Sequence, residues 1–77
     1  EPDNVTVRAG LIAIHYKMGN FAAAEAQYQE AMRRKLNSAD LHYNFGMALV
    51  VQQRAAEAER TFRLALEAQP VHPEALT

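Results

Sequence analysis

Reactive chemistry in this chain would have to come from three histidines, one serine and a handful of carboxylates, because it holds no cysteine at all. That absence excludes disulfides, thiolate metal sites and a cysteine nucleophile. Ser38 stands between two helical stretches and reads as a helix cap rather than a nucleophile. His15, His42 and His72 would need to converge with a carboxylate at about 2 Å from one ion to hold a metal. No two of them sit three or four apart on one helix. His15 and His42 fall at packing positions, and His72 falls in a linker. Glu57 and Glu59 are two apart on a helix and so point in different directions. Three scattered glycines form no phosphate loop or dinucleotide fingerprint. Arg33, Arg34 and Lys35 close a helix, where its dipole favours positive charge. They lack the interleaved aromatics of a nucleic-acid face. The expectation is a protein with no catalytic site, no cofactor and no metal.

The bulk numbers agree. A net charge of −1 speaks against a general nucleic-acid or acidic-membrane binder. No apolar run reaches the roughly 18–20 residues of a membrane span. With 49% hydrophobic and 22% charged residues, the composition is that of a helix-rich folded domain.

Four helices are expected: Val5–Met18, Phe21–Lys35, Ala39–Gln52 and Ala55–Gln69. Asp3 or Asn4 can cap the first. Val7, Leu11, Ile14 and Met18 form one apolar stripe on it, and Arg8, Ile12 and His15 an adjoining one. Gly19 ends it cheaply, and Asn20 starts the return helix. The second helix gathers Phe21, Ala24, Tyr28, Ala31 and Met32 on one face. Asn37 or Ser38 caps the third, which turns His42, Phe45, Gly46 and Leu49 toward its partner. The fourth has Ala55, Ala58, Phe62, Ala65 and Leu66 inward, and Pro70 stops it. Gln53 occupies the place of Gly19 in the second hairpin. A left-handed backbone there would cost about 1 kcal/mol or more, so an irregular turn is expected.

A step of 34 residues carries Ala24, Tyr28, Ala31 and Met32 onto Ala58, Phe62, Ala65 and Leu66. The spacing makes the chain a tandem repeat of helical hairpins. In residues 39–72 the pattern reads His42, Phe45-Gly46, Leu49, Ala58, Phe62, Ala65 and Pro70. In residues 5–38 it reads Arg8, Leu11-Ile12, His15, Ala24, Tyr28, Ala31 and Leu36. These residues resemble the tetratricopeptide repeat, a 34-residue helix–turn–helix unit. Ile12 departs from it where a small residue is usual, and a wider or shifted crossing of the first two helices is expected. Leu36 departs where proline is usual. The resemblance implies an all-α fold, a right-handed superhelical array of antiparallel helix–turn–helix hairpins (an α-solenoid). It divides the chain into one domain, 1–77, with repeats 5–38 and 39–72 and with 1–4 and 73–77 as remnants of flanking repeats.

The resemblance also implies a non-catalytic protein–protein interaction scaffold. In that family the concave face of the first helix in each hairpin receives partner peptides. Here it is lined by Thr6, Ala9, Ala13, Tyr16 and Lys17, then Asp40, Tyr43, Met47, Val50 and Val51. The family's carboxylate clamp is not expected, because Ala9 and Ala13 stand where its lysine and asparagine would be and only Asn44 is kept. The groove is apolar and aromatic, suited to an extended peptide or an amphipathic helix. The alternative is a structural or self-assembly module whose exposed apolar faces stack on other repeats or chains. Two repeats are fewer than the roughly three that usually make such an array stable. The open ends, the first helix and the last turn, are therefore where exposed apolar surface and self-association are expected. The partner is expected to be protein or peptide, with no nucleic acid and no membrane.

Overall fold

The computed structural model describes residues 5–68, and these form four helices in two antiparallel hairpins: α1 (Val5–Lys17), α2 (Phe21–Arg33), α3 (Ala39–Val51) and α4 (Ala55–Ala68). The expected caps at Asp3 or Asn4, the stop at Pro70, His72, and the two flanking remnants lie outside the described residues.

α1 packs on α2 and α3 on α4, and α3 also lies against both helices of the first hairpin. α3 is therefore the central element, and it carries six of the buried residues: Leu41, His42, Phe45, Gly46, Ala48 and Leu49. Around it close Ala9 and Ile12 from α1, Ala24, Tyr28 and Ala31 from α2, and Ala58 from α4. Alanines at these crossings let helix axes approach closely, toward the lower end of the ~8–10 Å range.

At the α3–α4 crossing a glycine takes the place of alanine. A Cβ placed on Gly46 would stand 2.6 Å from Phe62 Cε1 and 2.8 Å from its Cδ1, so glycine is what lets this ring lie on the helix. In the first hairpin Ile12 holds the equivalent place and is completely buried. The larger side chain fills the seam, and the Tyr28 ring lies flat on Phe45 of α3, with centroids 4.1 Å apart.

Three helix ends share one geometry. Gly19, Lys35 and Gln53 have φ of 82°, 60° and 62°. In each case the residue after the left-handed one donates its N–H five residues back: Asn20 to His15 O (2.8 Å), Leu36 to Ala31 O (2.9 Å), Arg54 to Leu49 O (2.9 Å). Gly19, Lys35 and Gln53 themselves donate three residues back, to Tyr16, Met32 and Val50. This is the Schellman closure, which satisfies carbonyls the helix leaves open. The irregular turn expected at Gln53 is thus absent: the same bonds form as at Gly19, with glutamine bearing the left-handed backbone. Ser38 caps α3, its Oγ accepting from the Asp40 N–H at 3.2 Å.

One expectation about faces needs correction, and one left open is settled. On α4, Leu66 and Ala55 are exposed, while Thr61 is buried with its hydroxyl donating to Glu57 O at 2.9 Å. On α1, the Val7–Leu11–Ile14–Met18 stripe faces outward and Ala9 and Ile12 face the core. Exposed apolar side chains are not confined to the first helix: Tyr43, Val50 and Val51 of α3 and Leu64 and Leu66 of α4 are exposed too, and the last turn lies outside the described residues.

Candidate functional site

The 34-residue step provides an internal measure of what each surface residue is for, because everything hairpin two does to hairpin one is visible. Leu41, Phe45 and Ala48 of α3 are buried against α1 and α2, and their counterparts Val7, Leu11 and Ile14 are exposed at the other end of the array. Conversely, Ala9 of α1 is 3% exposed beneath α3, and its counterpart Tyr43 is 53% exposed. Tyr16 is half-buried against the core, and its counterpart Val50 is exposed.

The ten residues expected to line a groove therefore fall into two groups. Thr6, Ala13 and Lys17 of α1 correspond to Asp40, Met47 and Val51 of α3, and none of these six is buried. They lie on a side of each first helix that the neighbouring hairpin leaves uncovered. Ala9 and Tyr16 belong to the side of α1 that meets the next hairpin, and Tyr43 and Val50 are their exposed counterparts on α3. Ala9 in particular lies inside the α1–α3 seam: its carbonyl accepts from Asn44 Nδ2 at 2.9 Å. Asn44, the one residue retained from the clamp pattern, thus has its amide committed to fastening α3 to α1.

Electrostatics on the open face are sparse. Asp40 sits in the first turn of α3 and Lys17 in the last turn of α1, each at the helix end that favours its charge. Between them the surface is Ala13, Met47 and Val51, and the methionine can adjust its shape to a partner. The stronger ion pairs lie elsewhere. Arg33 meets Glu30 at 2.7 Å, Arg54 meets Glu57 at 2.7 Å and Arg63 meets Glu59 at 2.9 Å. Arg34 also reaches Glu30, and the two guanidiniums hold that carboxyl below its usual range. The basic end of α2 is in this way partly neutralised by its own helix.

One polar network was not legible as such. The Tyr28 O–H donates to His42 Nδ1 at 2.7 Å, and His42 Nε2–H donates to Asn37 Oδ1 at 2.9 Å. The three groups join α2, the connector and α3, and the neutral Nε2–H tautomer satisfies both bonds. Burial pushes the imidazole pKa below its ordinary value, with the Glu67 carboxylate pulling the other way, and burial raises that of Tyr28. A tyrosine and a histidine 14 apart in sequence gave no signal of this pairing; the signal was that both fell at core positions. His15 is half-buried and its Nδ1 has no hydrogen-bond partner.

Among the described residues no group of three or more histidine, cysteine or acidic side chains could hold a metal ion. Among the same residues no helix is long and apolar enough to cross a membrane. Searches of the curated proteins and of the solved structures returned no match. One family model matches, that described as Tetratricopeptide repeat, over residues 11–73.

Proposed function

The chain belongs to the tetratricopeptide repeat family, whose repeats are generally protein–protein interaction modules, and we propose that it is a non-catalytic scaffold that receives a peptide or amphipathic helix on the open face of α1 and α3. The observation that carries the reading is the recurrence of that face. Thr6, Ala13 and Lys17 are left uncovered by α3 at the very positions where Asp40, Met47 and Val51 recur one repeat later. A surface that neighbouring hairpins do not bury runs continuously along an array, which suits a partner lying across several repeats.

The chemistry of the face defines the partner. Ala13, Met47 and Val51 offer apolar contact, and Asp40 and Lys17 offer opposite charges toward opposite helix ends. A segment with two or three apolar anchors, flanked by a basic residue for Asp40 and an acidic one for Lys17, fits this pattern. Tyr16 borders it from the α1–α3 seam. Tyr43 and Val50 are assigned instead to the end of the array.

A displayed library of random 12-residue peptides, selected on the chain, tests this. Enriched peptides should carry spaced apolar anchors and lose binding to the Met47→Glu chain by about tenfold or more. They should bind Leu66→Glu, altered on the exposed side of α4, as well as the parent. Equal binding of the selected peptides to the parent and to Met47→Glu refutes the groove.

A further inference from the structure

The two ends of the array carry the two halves of one interface. Within the chain, hairpin one presents Ala9, Tyr16, Tyr28 and Met32 around α3, and Leu41, Phe45 and Ala48 of α3 are buried against them. Moved by 34 residues, the first set becomes Tyr43, Val50, Phe62 and Leu66, and the second becomes Val7, Leu11 and Ile14. Both moved sets are apolar. Of the seven, Phe62 is half-buried and the other six are exposed, Leu66 at 70% and Ile14 at 54%. Unlike surface leucines scattered singly, they form continuous faces at opposite ends of one chain.

The moved pairs are also matched in size. Where the two hairpins meet, Asn44 of α3 stands over Ala9, its amide on the alanine carbonyl at 2.9 Å. Moved by one repeat, that pair is Gly10 and Tyr43: the bulk shifts from one partner to the other. No atom of another element lies within 4 Å of a Cβ built on Gly10, so the face there is open to a ring. The stacked pair Tyr28 and Phe45 becomes Phe62 and Leu11, a ring against an aliphatic side chain. The hydroxyl–imidazole pair Tyr28 and His42 becomes Phe62 and Arg8. The buried Tyr28–His42 hydrogen bond thus has no counterpart in the moved interface, where Phe62 and Arg8 stand instead, and a guanidinium over a ring is itself favourable.

We propose that copies of this chain stack end to end, α3 and α4 of one on α1 of the next, in the register that joins its own two hairpins. The interface is between unlike faces. It does not close after two copies, and association continues as concentration rises. The stacking is independent of any peptide on the open face.

Sedimentation equilibrium of the 77-residue chain over a wide concentration series should give an average mass that climbs past the dimer. The chain has no cysteine, so engineered thiols report the register cleanly. Gly10→Cys mixed with Tyr43→Cys should cross-link through a short thiol-reactive linker, and neither variant should cross-link with itself. Ile14→Glu, at a site exposed in the single chain, should keep its helical circular dichroism and raise the concentration needed for association by about tenfold or more. A monomer at every concentration overturns the proposal and assigns the end faces to flanking repeats. Gly10→Cys cross-linking to itself as readily as to Tyr43→Cys overturns it in favour of face-to-face pairing. Association unchanged by Ile14→Glu overturns it as well.

Discussion

Replacing Gln53 by glycine should stabilise the chain, although it deletes a side chain and adds none. The two hairpin turns provide the comparison. Gly19 and Gln53 close them with the same pair of backbone bonds and with φ of 82° and 62°. A left-handed backbone costs an L-residue about 1–2 kcal/mol relative to glycine. Glycine returns part of this, about 0.4–1 kcal/mol, through the extra freedom it gives the unfolded chain. The Gln53 side chain is exposed, so little contact is lost with it. The difference leaves a net gain of about 0.5–1 kcal/mol for Gln53→Gly. Gly19→Ala, the mirror experiment, should lose about 1 kcal/mol. Urea denaturation followed by circular dichroism reads both, as midpoints moving in opposite directions with an unchanged slope. For a domain of this size the stabilised chain should melt a few degrees higher. A Gln53→Gly chain that is no more stable than the parent refutes the reasoning, since it would mean that the turn carries no left-handed strain.

Two further perturbations test the core. Gly46→Ala should destabilise: a gain of about 1 kcal/mol in helix propensity is outweighed by about 1–3 kcal/mol of crowding against the Phe62 ring, 2.6 Å from the new Cβ. In a Phe62→Leu background, denaturation should show the same change to be neutral or stabilising. Lowering the pH should weaken the seam between the hairpins. The folded pKa of His42 is depressed by burial, so the unfolded chain binds the proton more readily. Its contribution is fully present above the unfolded value of about 6.5 and is lost as the pH falls through the lower folded value. Stability measured from pH 7 to pH 5 should therefore decline more steeply in the parent than in His42→Gln; equal slopes would remove His42 from the account.

What the sequence made legible was whatever depends on small residues and helix ends. Ala24, Ala31, Ala58 and Ala65 mark the crossings, and each turn falls within a residue or two of where Gly19 and Gln53 place it. The choice between two apolar stripes on α1 was not legible, because Val7, Leu11, Ile14 and Met18 are as hydrophobic as any core. Periodicity gives a face its width but not its neighbour. The left-handed Lys35 was hidden for a similar reason. No glycine announces it, and its cause is tertiary: Leu36 must turn onto the core while its N–H reaches Ala31. Asn44 shows the same limit at the site. By residue type it belonged to a ligand clamp, whereas its amide holds Ala9 of the preceding helix. In a repeat array each hairpin is the context that the other lacks. Ala9 is buried beneath α3, and it is this 34-residue correspondence that leads the proposal to give the exposed Tyr43 to another repeat rather than to a peptide.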